Sequence, residues 1–200
     1  MSTGRTRLVR KRRRRRIAIG VAAASAAIVA GVLLGGVGIL ERGLQELTLP
    51  LKHEDVIRQQ SREKGVDAAL IAAVIYSESK FVDQTSRAEA RGLMQITPAA
   101  AEHIARQSRG TEFELEDLAD PEINIRYGTF LLSELLERYE GDEAAALAAY
   151  NAGPGNADRW GGSALAVGDI DFPETRAYVE EVLEKRREYR DEYARELGYR

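Results

Sequence analysis

Residues 68–79 read AALIAAVIYSES, and this stretch decides the fold. The first eight residues, 68–75, are apolar without interruption, so a helix here is apolar on every face and must be covered by other helices. Asp67 immediately precedes the stretch and is a residue type favoured at a helix N-cap. The pattern predicts a buried helix over 68–79, with Glu78 near the edge of the core.

Proline, glycine and capping residues divide the rest of the chain after residue 50 into further helices. The predicted helices are 52–64, 98–105, 122–140, 143–151 and 173–190. Gly65 and Gly141 mark two of the helix ends. The stretch 152–172 is glycine-rich and is predicted as a loop, in which Trp160 either stacks on a sugar or packs within the loop. Because no stretch alternates apolar and polar residues long enough to predict a strand, the body is predicted to be all-α.

The first 40 residues differ sharply from the body. Nine of the 29 basic residues lie between Arg5 and Arg16, and no acidic residue precedes Glu41. Ile17 to Leu40 is a run of 24 residues without a charge. As a helix this run is about 36 Å long, enough to cross a hydrocarbon core of about 30 Å. The basic flank predicts a cytoplasmic N-terminus and an extracytoplasmic body.

A cleaved signal peptide is the main alternative for this segment, because Ala24-Ser-Ala26 has the small-x-small form of a cleavage site. The apolar run continues for fourteen residues beyond that site, which favours an uncleaved anchor. Nucleic-acid binding or nuclear import by the arginine cluster is a further alternative. Its position directly beside the apolar run favours a topology signal.

The charge and cysteine content of the body exclude several classes of function. Residues 41–200 carry 20 basic and 32 acidic residues, a net charge of −12. An acidic body argues against nucleic acid as the main ligand, since binding to phosphates uses positive charge. The chain has no cysteine, which excludes disulfides and thiolate zinc sites.

Glu78 is the first candidate for chemistry. A carboxyl group beside Tyr76 and Phe81 at the end of a buried helix is partly desolvated, which raises its pKa and lets it act as a general acid. A solvated carboxylate at a helix end is the competing explanation. Three other stretches offer candidate partners: RGLMQITP at 91–98, AYNAGPG at 149–155 and ETRAYV at 174–179.

Taken together, Glu78-Ser79, GLMQ at 92–95, AYNAGPG at 149–155 and ETRAYV at 174–179 resemble, in this order, the soluble-lytic-transglycosylase (SLT) domain family, whose members cut peptidoglycan. The resemblance covers about residues 52–190. It implies a lysozyme-like helical fold with a groove for a glycan strand and Glu78 as the sole catalytic acid and base. The substrate-binding residues that it implies are Ser86, Met94, Gln95, Tyr150, Asn151 and Tyr178.

The implied roles of these six residues differ. Ser86 and Gln95 are expected to contact sugar in the groove, and Met94 is expected to form part of the floor beneath the cleaved bond. The Tyr150 hydroxyl is expected beside the catalytic carboxyl. Asn151 is expected to support the following turn, and Tyr178 to form a further wall of the site.

The chain departs from the family pattern ahead of GLMQ. The family usually has Ser-x-x-Gly-Ala-x-Gly, whereas Ser86-Arg-Ala-Glu-Ala-Arg-Gly92 places Glu89 where glycine is expected. The spacing from Glu78 to Gln95 is also one residue shorter than the family pattern. We expect a carboxylate near the groove rim to alter the shape of the sugar subsites or the pKa of the acid.

The resemblance implies a peptidoglycan lytic transglycosylase that cleaves the MurNAc–GlcNAc β-1,4 bond and forms 1,6-anhydromuramic acid, without metal or organic cofactor. Hydrolysis, as in goose-type lysozymes, is an alternative that needs a second polar group, for which Glu89, Asp83 and Asp158 are candidates. A catalytically inactive, membrane-anchored peptidoglycan-binding module is the alternative from another class. The expected partners are glycan strands and the membrane, and no partner protein of wall synthesis or division can be inferred.

The resulting domain organisation is a basic cytoplasmic tail (1–16), a transmembrane helix (17–40), a linker (41–51), a catalytic domain (52–190) and a C-terminal tail (191–200).

Overall fold

A computed structural model describes residues 47–86, 89–107 and 114–199. Residues from Leu49 onward form one compact unit. Its α-helices are α1 (Glu54–Lys64), α2 (Ala68–Ser79), α3 (Pro98–Gln107), α4 (Pro121–Arg138), α5 (Glu143–Ala152), α6 (Pro154–Arg159) and α7 (Pro173–Glu192). Short 3-10 helices occur at Leu115–Ala119, Gly162–Ala164 and Val167–Asp169.

Helix α2 is the centre of the unit and has the bounds predicted from the sequence. The Asp67 carboxylate accepts a hydrogen bond from the Leu70 N–H at 3.0 Å, as expected of an N-cap. All eight residues from Ala68 to Ile75 are buried. α7 covers α2 most extensively, and α1 packs on it as well. A helix with no polar face has therefore become the core around which the others assemble.

The other predicted helices are confirmed, with small differences at their ends. α1 begins at Glu54 and ends at Lys64, and it is followed by Gly65, whose backbone is left-handed with φ 69°. α4 ends at Arg138, earlier than predicted, and α7 continues to Glu192. These differences fall within the fraying normal for helix ends.

The loop predicted over 152–172 is wrong, because most of this stretch is ordered as α6 and two 3-10 helices. Gly153 has φ 86° and breaks the chain direction after α5, and Pro154 then begins α6. Trp160 packs within this region, where its Nε1–H donates to Asp171 and its ring meets Phe172 edge-on at 5.0 Å. Stacking of Trp160 on a sugar is therefore not supported, since the side chain is only 7% exposed.

The prediction that the body lacks strands holds for the described residues. They contain isolated antiparallel bridges, Thr85 with Arg91 and Arg91 with Ile96, in the segment that joins α2 to α3. The predicted transmembrane helix at 17–40 lies outside the described residues. Of the helices that are described, none has the length and apolar character needed to cross a membrane.

Residues at both ends of the described chain pack onto the helical unit. Leu49 and Leu197 are buried. The Tyr193 hydroxyl donates to the Leu49 carbonyl at 2.7 Å, and the Tyr189 hydroxyl donates to the Pro50 carbonyl at 2.5 Å. The segment assigned from sequence to a linker therefore contacts both α7 and the segment assigned to a tail, and the predicted domain boundaries remain predictions.

Candidate active site

Glu78 lies in the last turn of α2, where the helix leaves the core. The side chain is largely enclosed by protein, and this burial raises the pKa of Glu78 from 4.5 to about 7. A hydrogen-bonding interaction with the Tyr178 hydroxyl acts in the opposite direction and lowers the pKa. Desolvation, which penalises the charged carboxylate, is the larger of the two effects. The group therefore retains a substantial protonated fraction near neutral pH.

Tyr178 comes from α7, which covers α2, and its ring is buried. Its hydroxyl is buried and lies outside normal hydrogen-bond geometry with any described partner, although it is close enough to Glu78 to affect that carboxyl. Burial and the nearby Glu78 charge raise the pKa of Tyr178 well above its ordinary value. The hydroxyl therefore stays protonated and is available as a donor to the ionised carboxylate.

Tyr150 comes from α5 and lies in the same environment. Burial and the charge of Glu78 raise the pKa of its hydroxyl well above the ordinary value. The hydroxyl donates to the Met94 carbonyl at 2.9 Å. Tyr150 therefore lies within electrostatic range of Glu78, and its hydroxyl proton is directed at the backbone of the 91–97 loop.

The 91–97 loop is fastened to α2 and α4 by buried hydrogen bonds. The Met94 N–H donates to the Asn124 side-chain oxygen at 2.8 Å, and the Asn124 amide donates to the carbonyls of Arg91 and Leu118. The Ser79 hydroxyl donates to the Leu93 carbonyl at 2.7 Å. Both sides of the loop are therefore fixed relative to the helix that carries Glu78.

Met94 is fully buried, and its side chain packs against Gly128 on α4. A Cβ at Gly128 would lie 2.4 Å from the Met94 sulfur, so the close approach requires glycine. The Met94 side chain thus lies beneath the surface of the loop. Met94 contacts Tyr150 through its backbone carbonyl, which accepts the hydrogen bond of the tyrosine hydroxyl.

Gln95 connects the loop to the end of α2. Its backbone is left-handed, with φ 48°, and its side-chain amide donates to the carbonyls of Gln84 and Gly92 at 2.9 and 2.8 Å. The Gln84 side chain in turn donates to the Glu78 carbonyl at 3.1 Å. The Gln95 side chain is therefore connected to the Glu78 backbone through one intervening residue, Gln84.

Ser86 and Glu89 form a turn that precedes the loop. The Ser86 N–H donates to the Ala90 carbonyl at 2.8 Å, and the Glu89 N–H donates to the Ser86 carbonyl at 3.0 Å. Glu89 is exposed and has φ 62°. Glycine enters this left-handed region freely, and other residues enter it at a cost. The position where the family has glycine is therefore one whose backbone favours glycine.

Asn151 is exposed and joins the end of α5 to the start of α7. Its side-chain oxygen accepts a hydrogen bond from the Thr175 hydroxyl at 2.8 Å, and Thr175 is itself buried. This bond holds the AYNAGPG turn against the helix that carries Tyr178.

Asn124, Ser79, Gly128 and Thr175 are supporting residues whose roles were not predicted from the sequence. Asn124 offered a signal, since it is a polar residue between Ile123 and Ile125 in the sequence of α4. A buried amide needs several partners, which points to a backbone segment packed against it. The sequence does not reveal that this segment is the 91–97 loop.

The three acidic residues considered as second carboxylates are placed differently. Asp158 pairs with Arg138 at 2.8 Å and accepts a hydrogen bond from Tyr139 at 2.9 Å, and these contacts lower its pKa. Asp83 and Glu89 are exposed. Within the described ranges, no other acidic side chain is a cause of the raised pKa of Glu78, and no cluster of His, Asp and Glu is suited to a metal ion.

Residues 55–172 match the Transglycosylase SLT domain family, with Glu78, the 91–97 loop and the AYNAGPG turn all inside the matched region. The chain belongs to this family. The SLT domain is 33% identical over 152 residues to a soluble lytic murein transglycosylase from Salmonella typhimurium, and 32% identical over 147 residues to the one from Escherichia coli K12. Each alignment covers 69% of this chain and 23% of the relative, so the chain spans about a quarter of those proteins.

Solved structures support the same fold for this SLT domain. The 70-kDa soluble lytic transglycosylase from Escherichia coli matches with a TM-score of 0.70 at 32% identity, over 74% of this chain and 25% of that one. An inactive mutant of the lytic transglycosylase Slt from Pseudomonas aeruginosa matches with a TM-score of 0.70 at 29% identity, over 75% and 26%. The lysozyme-like helical fold expected from the sequence is confirmed for the SLT domain.

Proposed function

We propose that this chain is a peptidoglycan lytic transglycosylase that cleaves the MurNAc–GlcNAc β-1,4 bond and leaves a 1,6-anhydromuramic acid end. The observation that carries the proposal is Glu78, a carboxyl at the end of a buried helix whose pKa is raised to about 7. Family membership, and the relatives named soluble lytic murein transglycosylases, support the reaction class.

The proposed reaction uses Glu78 twice. Protonated Glu78 donates its proton to the glycosidic oxygen, the C1–O bond breaks, and positive charge develops at C1 of the muramic acid. The resulting carboxylate then takes the proton of the C6 hydroxyl of the same sugar, and that oxygen bonds to C1. Because the attacking hydroxyl is tethered to the sugar, no water or external nucleophile has to be positioned.

The tyrosines fit the two protonation states that this reaction needs. Desolvation keeps a proton on Glu78 before cleavage. The Tyr178 hydroxyl favours the ionised form, which exists after the proton has been donated. Tyr150 holds the Met94 carbonyl, and we propose that it positions the loop beneath the cleaved bond. Ser86, Gln95 and Asn151 complete the proposed groove as the resemblance implies.

Hydrolysis is less well supported than internal attack. Glycosidases that use two carboxylates place them about 5 Å apart for retention or about 6.5 to 9.5 Å apart for inversion. Asp158 is engaged by Arg138 and Tyr139, and Asp83 and Glu89 are exposed. An inactive binding module is supported only by the replacement of a family glycine with Glu89.

Product analysis tests the chemistry. The full-length chain in detergent is incubated with purified peptidoglycan, and the released muropeptides are identified by mass. We expect 1,6-anhydro ends from the wild type and a loss of rate of at least about 10²- to 10⁴-fold in Glu78→Gln, because the general acid is removed. Reducing muramic acid ends would instead favour hydrolysis, and equal release by Glu78→Gln would exclude Glu78 as the acid.

We also propose that residues 17–40 anchor the protein in the membrane with the SLT domain outside the cytoplasm. The supporting features are the 24 uncharged residues and the preceding arginine cluster. Protease added to spheroplasts should digest the SLT domain, and the intact mass of the membrane-extracted protein should retain residues 1–40. A product that begins near residue 27 would show cleavage at Ala24-Ser-Ala26.

A further inference from the structure

Three of the four lysines in residues 41–200 lie around the end of α2. The Lys80 and Lys185 ammonium groups lie 4.5 and 5.1 Å from the centre of the same ring, that of Tyr76. The Lys52 ammonium donates at 3.4 Å to the carbonyl of Phe81, the residue that follows Lys80. We call the side chains of Lys52, Lys80 and Lys185 the lysine face.

Two of these three ammonium groups are available to an external anion. Lys52 and Lys80 are exposed, and neither pairs with a carboxylate among the residues that the structure describes. Lys185 is less exposed and pairs with Glu188 at 2.7 Å. Asp83, exposed shortly after Lys80, offsets part of the positive charge. The lysine face is therefore a locally basic surface on a body whose net charge is −12.

An exposed apolar side chain lies on the turn that follows Lys80. Val82 is 56% exposed, and its N–H donates to the Ser79 carbonyl at 3.0 Å, which fixes the turn against the end of α2. Phe81, between the two exposed residues, is buried. An exposed apolar group beside ammonium groups suits the surface of a bilayer, where the apolar group reaches the acyl boundary and the lysines reach the phosphates.

The chain enters the domain beside this surface. The Tyr189 hydroxyl donates to the Pro50 carbonyl at 2.5 Å, and the centroid of its ring lies 6.3 Å from that of Tyr76. The apolar run that we propose as an anchor ends at Leu40, nine residues before Leu49. An extended chain covers at most about 32 Å in nine residues. An anchor at this run therefore keeps the start of the domain close to the membrane surface.

Building on the proposed anchor, we propose that the lysine face and Val82 dock the SLT domain on the phosphates of anionic lipids in the membrane that carries it. The net charge of the body opposes approach to a negatively charged surface, so contact requires a local group of cations such as this one. Each free lysine should strengthen the contact about fivefold. Because Tyr76 and Lys80 each lie two residues from Glu78, docking holds the candidate acid beside the membrane.

Lysine acetylation in nanodiscs tests the docking and requires no turnover. The full-length protein is placed in nanodiscs of phosphatidylglycerol or of phosphatidylcholine, at about 0.1 M salt, where charges are screened beyond about 10 Å. Brief treatment with an acetylating ester is followed by mass spectrometry of each lysine. We expect Lys52 and Lys80 to react at least about fivefold more slowly in phosphatidylglycerol. Lys64, whose ammonium lies over the Phe130 ring on α4, should react equally in both lipids.

Two variants separate docking at this face from a general effect of charged lipid. Lys52→Gln removes one cation, and Val82→Asp adds a carboxylate, and both positions are exposed enough for the fold to tolerate the change. Each should reduce the protection of Lys80 by phosphatidylglycerol about fivefold. Lys64→Gln is the matched control and should leave the protection of Lys80 unchanged.

The outcomes separate this proposal from the proposed function. Equal acetylation of Lys52 and Lys80 in the two lipids overturns the docking face, and so does protection of Lys64 to the same degree. Protection by soluble polyphosphate alone, without protection by phosphatidylglycerol, overturns it in favour of an anionic polymer. Reducing ends in the products would overturn the transglycosylase chemistry and leave the acetylation comparison valid.

Failure of the anchor is also distinguishable from failure of the docking face. A full-length protein that does not co-purify with nanodiscs overturns the anchor. Sedimentation with phosphatidylglycerol vesicles then decides the docking face, with binding expected for the wild type and about fivefold weaker binding for Lys52→Gln. No sedimentation of the wild type, or equal sedimentation of both proteins, overturns the proposal.

Discussion

At the scale of single residues, the protonation of Glu78 links stability to activity. Its pKa is raised above the unfolded value, so the folded state favours the neutral carboxyl and binds more protons between the two pKa values. The contribution of Glu78 to stability is therefore fully present below about pH 4.5 and is lost as the pH rises through about 7. Above that pH the protein retains a partly desolvated carboxylate that its fold does not favour.

We predict that Glu78→Gln is more stable than the wild type at high pH. The shift from 4.5 to about 7 corresponds to at most about 3 kcal/mol, and solvent contact reduces it. Urea unfolding at pH 5 and pH 8.5 measures the difference. The stability gain should grow with pH, and a difference that is the same at both pH values would contradict a raised pKa.

The activity of the wild type should fall above about pH 7, because the general acid loses its proton. Tyr178→Phe removes an interaction that lowers the pKa of Glu78, so the descending limb of kcat/KM should move to higher pH. A pH profile of both proteins checks this. A lower rate with an unmoved limb would mean that Tyr178 acts by packing alone.

At Glu89 the backbone conformation determines how a substitution affects stability. Its φ of 62° is unfavourable for a side chain, and most unfavourable for a β-branched one. We expect Glu89→Val to lose about 1 to 2 kcal/mol of stability, whereas Glu89→Gly changes stability by less than about 1 kcal/mol. Thermal unfolding of the two variants measures this, and equal destabilisation would show that the turn does not require this conformation.

At the scale of elements, α2 and its cap were predictable because local sequence determines both. The apolar run 68–75 requires burial, and Asp67 accepts the hydrogen bond of the Leu70 N–H, a local contact within the first turn. The order within 152–172 was not predictable, since α6 is only six residues long and depends on packing around Trp160. Short helices are marginal without tertiary contacts.

The residues of the candidate site likewise divide into those predicted from local sequence and those that depend on contacts distant in the chain. The position of Glu78 at the end of an apolar helix favoured a raised pKa, but the burial that distinguishes it from a solvated carboxylate depends on the surrounding helices. The clamp that Asn124 makes on the 91–97 loop joins residues about thirty positions apart and has no local signature. The same holds for the Tyr150 hydroxyl, whose acceptor is a backbone carbonyl 56 residues away in the chain.

We predict that the 91–97 loop does not tolerate alanine at Gly92. A Cβ there would lie 2.1 Å from the Asn124 amide nitrogen and 2.6 Å from the Leu118 carbonyl oxygen, and φ is 76°. Both effects act together, so Gly92→Ala should cost about 3 kcal/mol or more. The matched control is Gly155→Ala in α6, where a Cβ meets open space and should change stability by less than about 1 kcal/mol. Similar unfolding midpoints for the two variants would contradict this account.

At the scale of the whole molecule, Asp67 connects elements far apart in sequence. Its carboxylate caps α2, lies 3.3 Å from Arg186 and 3.4 Å from Arg190 on α7, and accepts a hydrogen bond from the Tyr199 hydroxyl at 2.8 Å. The buried start of the central helix is thereby tied to the C-terminal end of the chain.

Removal of residues 193–200 should therefore destabilise the SLT domain. The deletion removes the buried Leu197, both bonds of the Tyr199 hydroxyl and the bond from Tyr193 to Leu49, which together should cost at least about 3 kcal/mol. Tyr199→Phe, which keeps the ring, should cost about 1 to 2 kcal/mol. Urea unfolding ranks the three proteins, and a deletion as stable as the wild type would identify 193–200 as a dispensable tail.

The Tyr193 hydroxyl holds Leu49, and the Tyr189 hydroxyl of α7 holds Pro50, the second of which links the start of the domain to the residues around Glu78. The Tyr189 hydroxyl donates to the Pro50 carbonyl. The centroid of its ring lies 6.3 Å from that of Tyr76 and 6.1 Å from that of Phe81, and these two residues flank Glu78 in the sequence. Tyr189 therefore connects the Pro50 carbonyl to the two aromatic residues that flank Glu78, and a displacement of the backbone at Pro50 would pass through the Tyr189 ring to the end of α2.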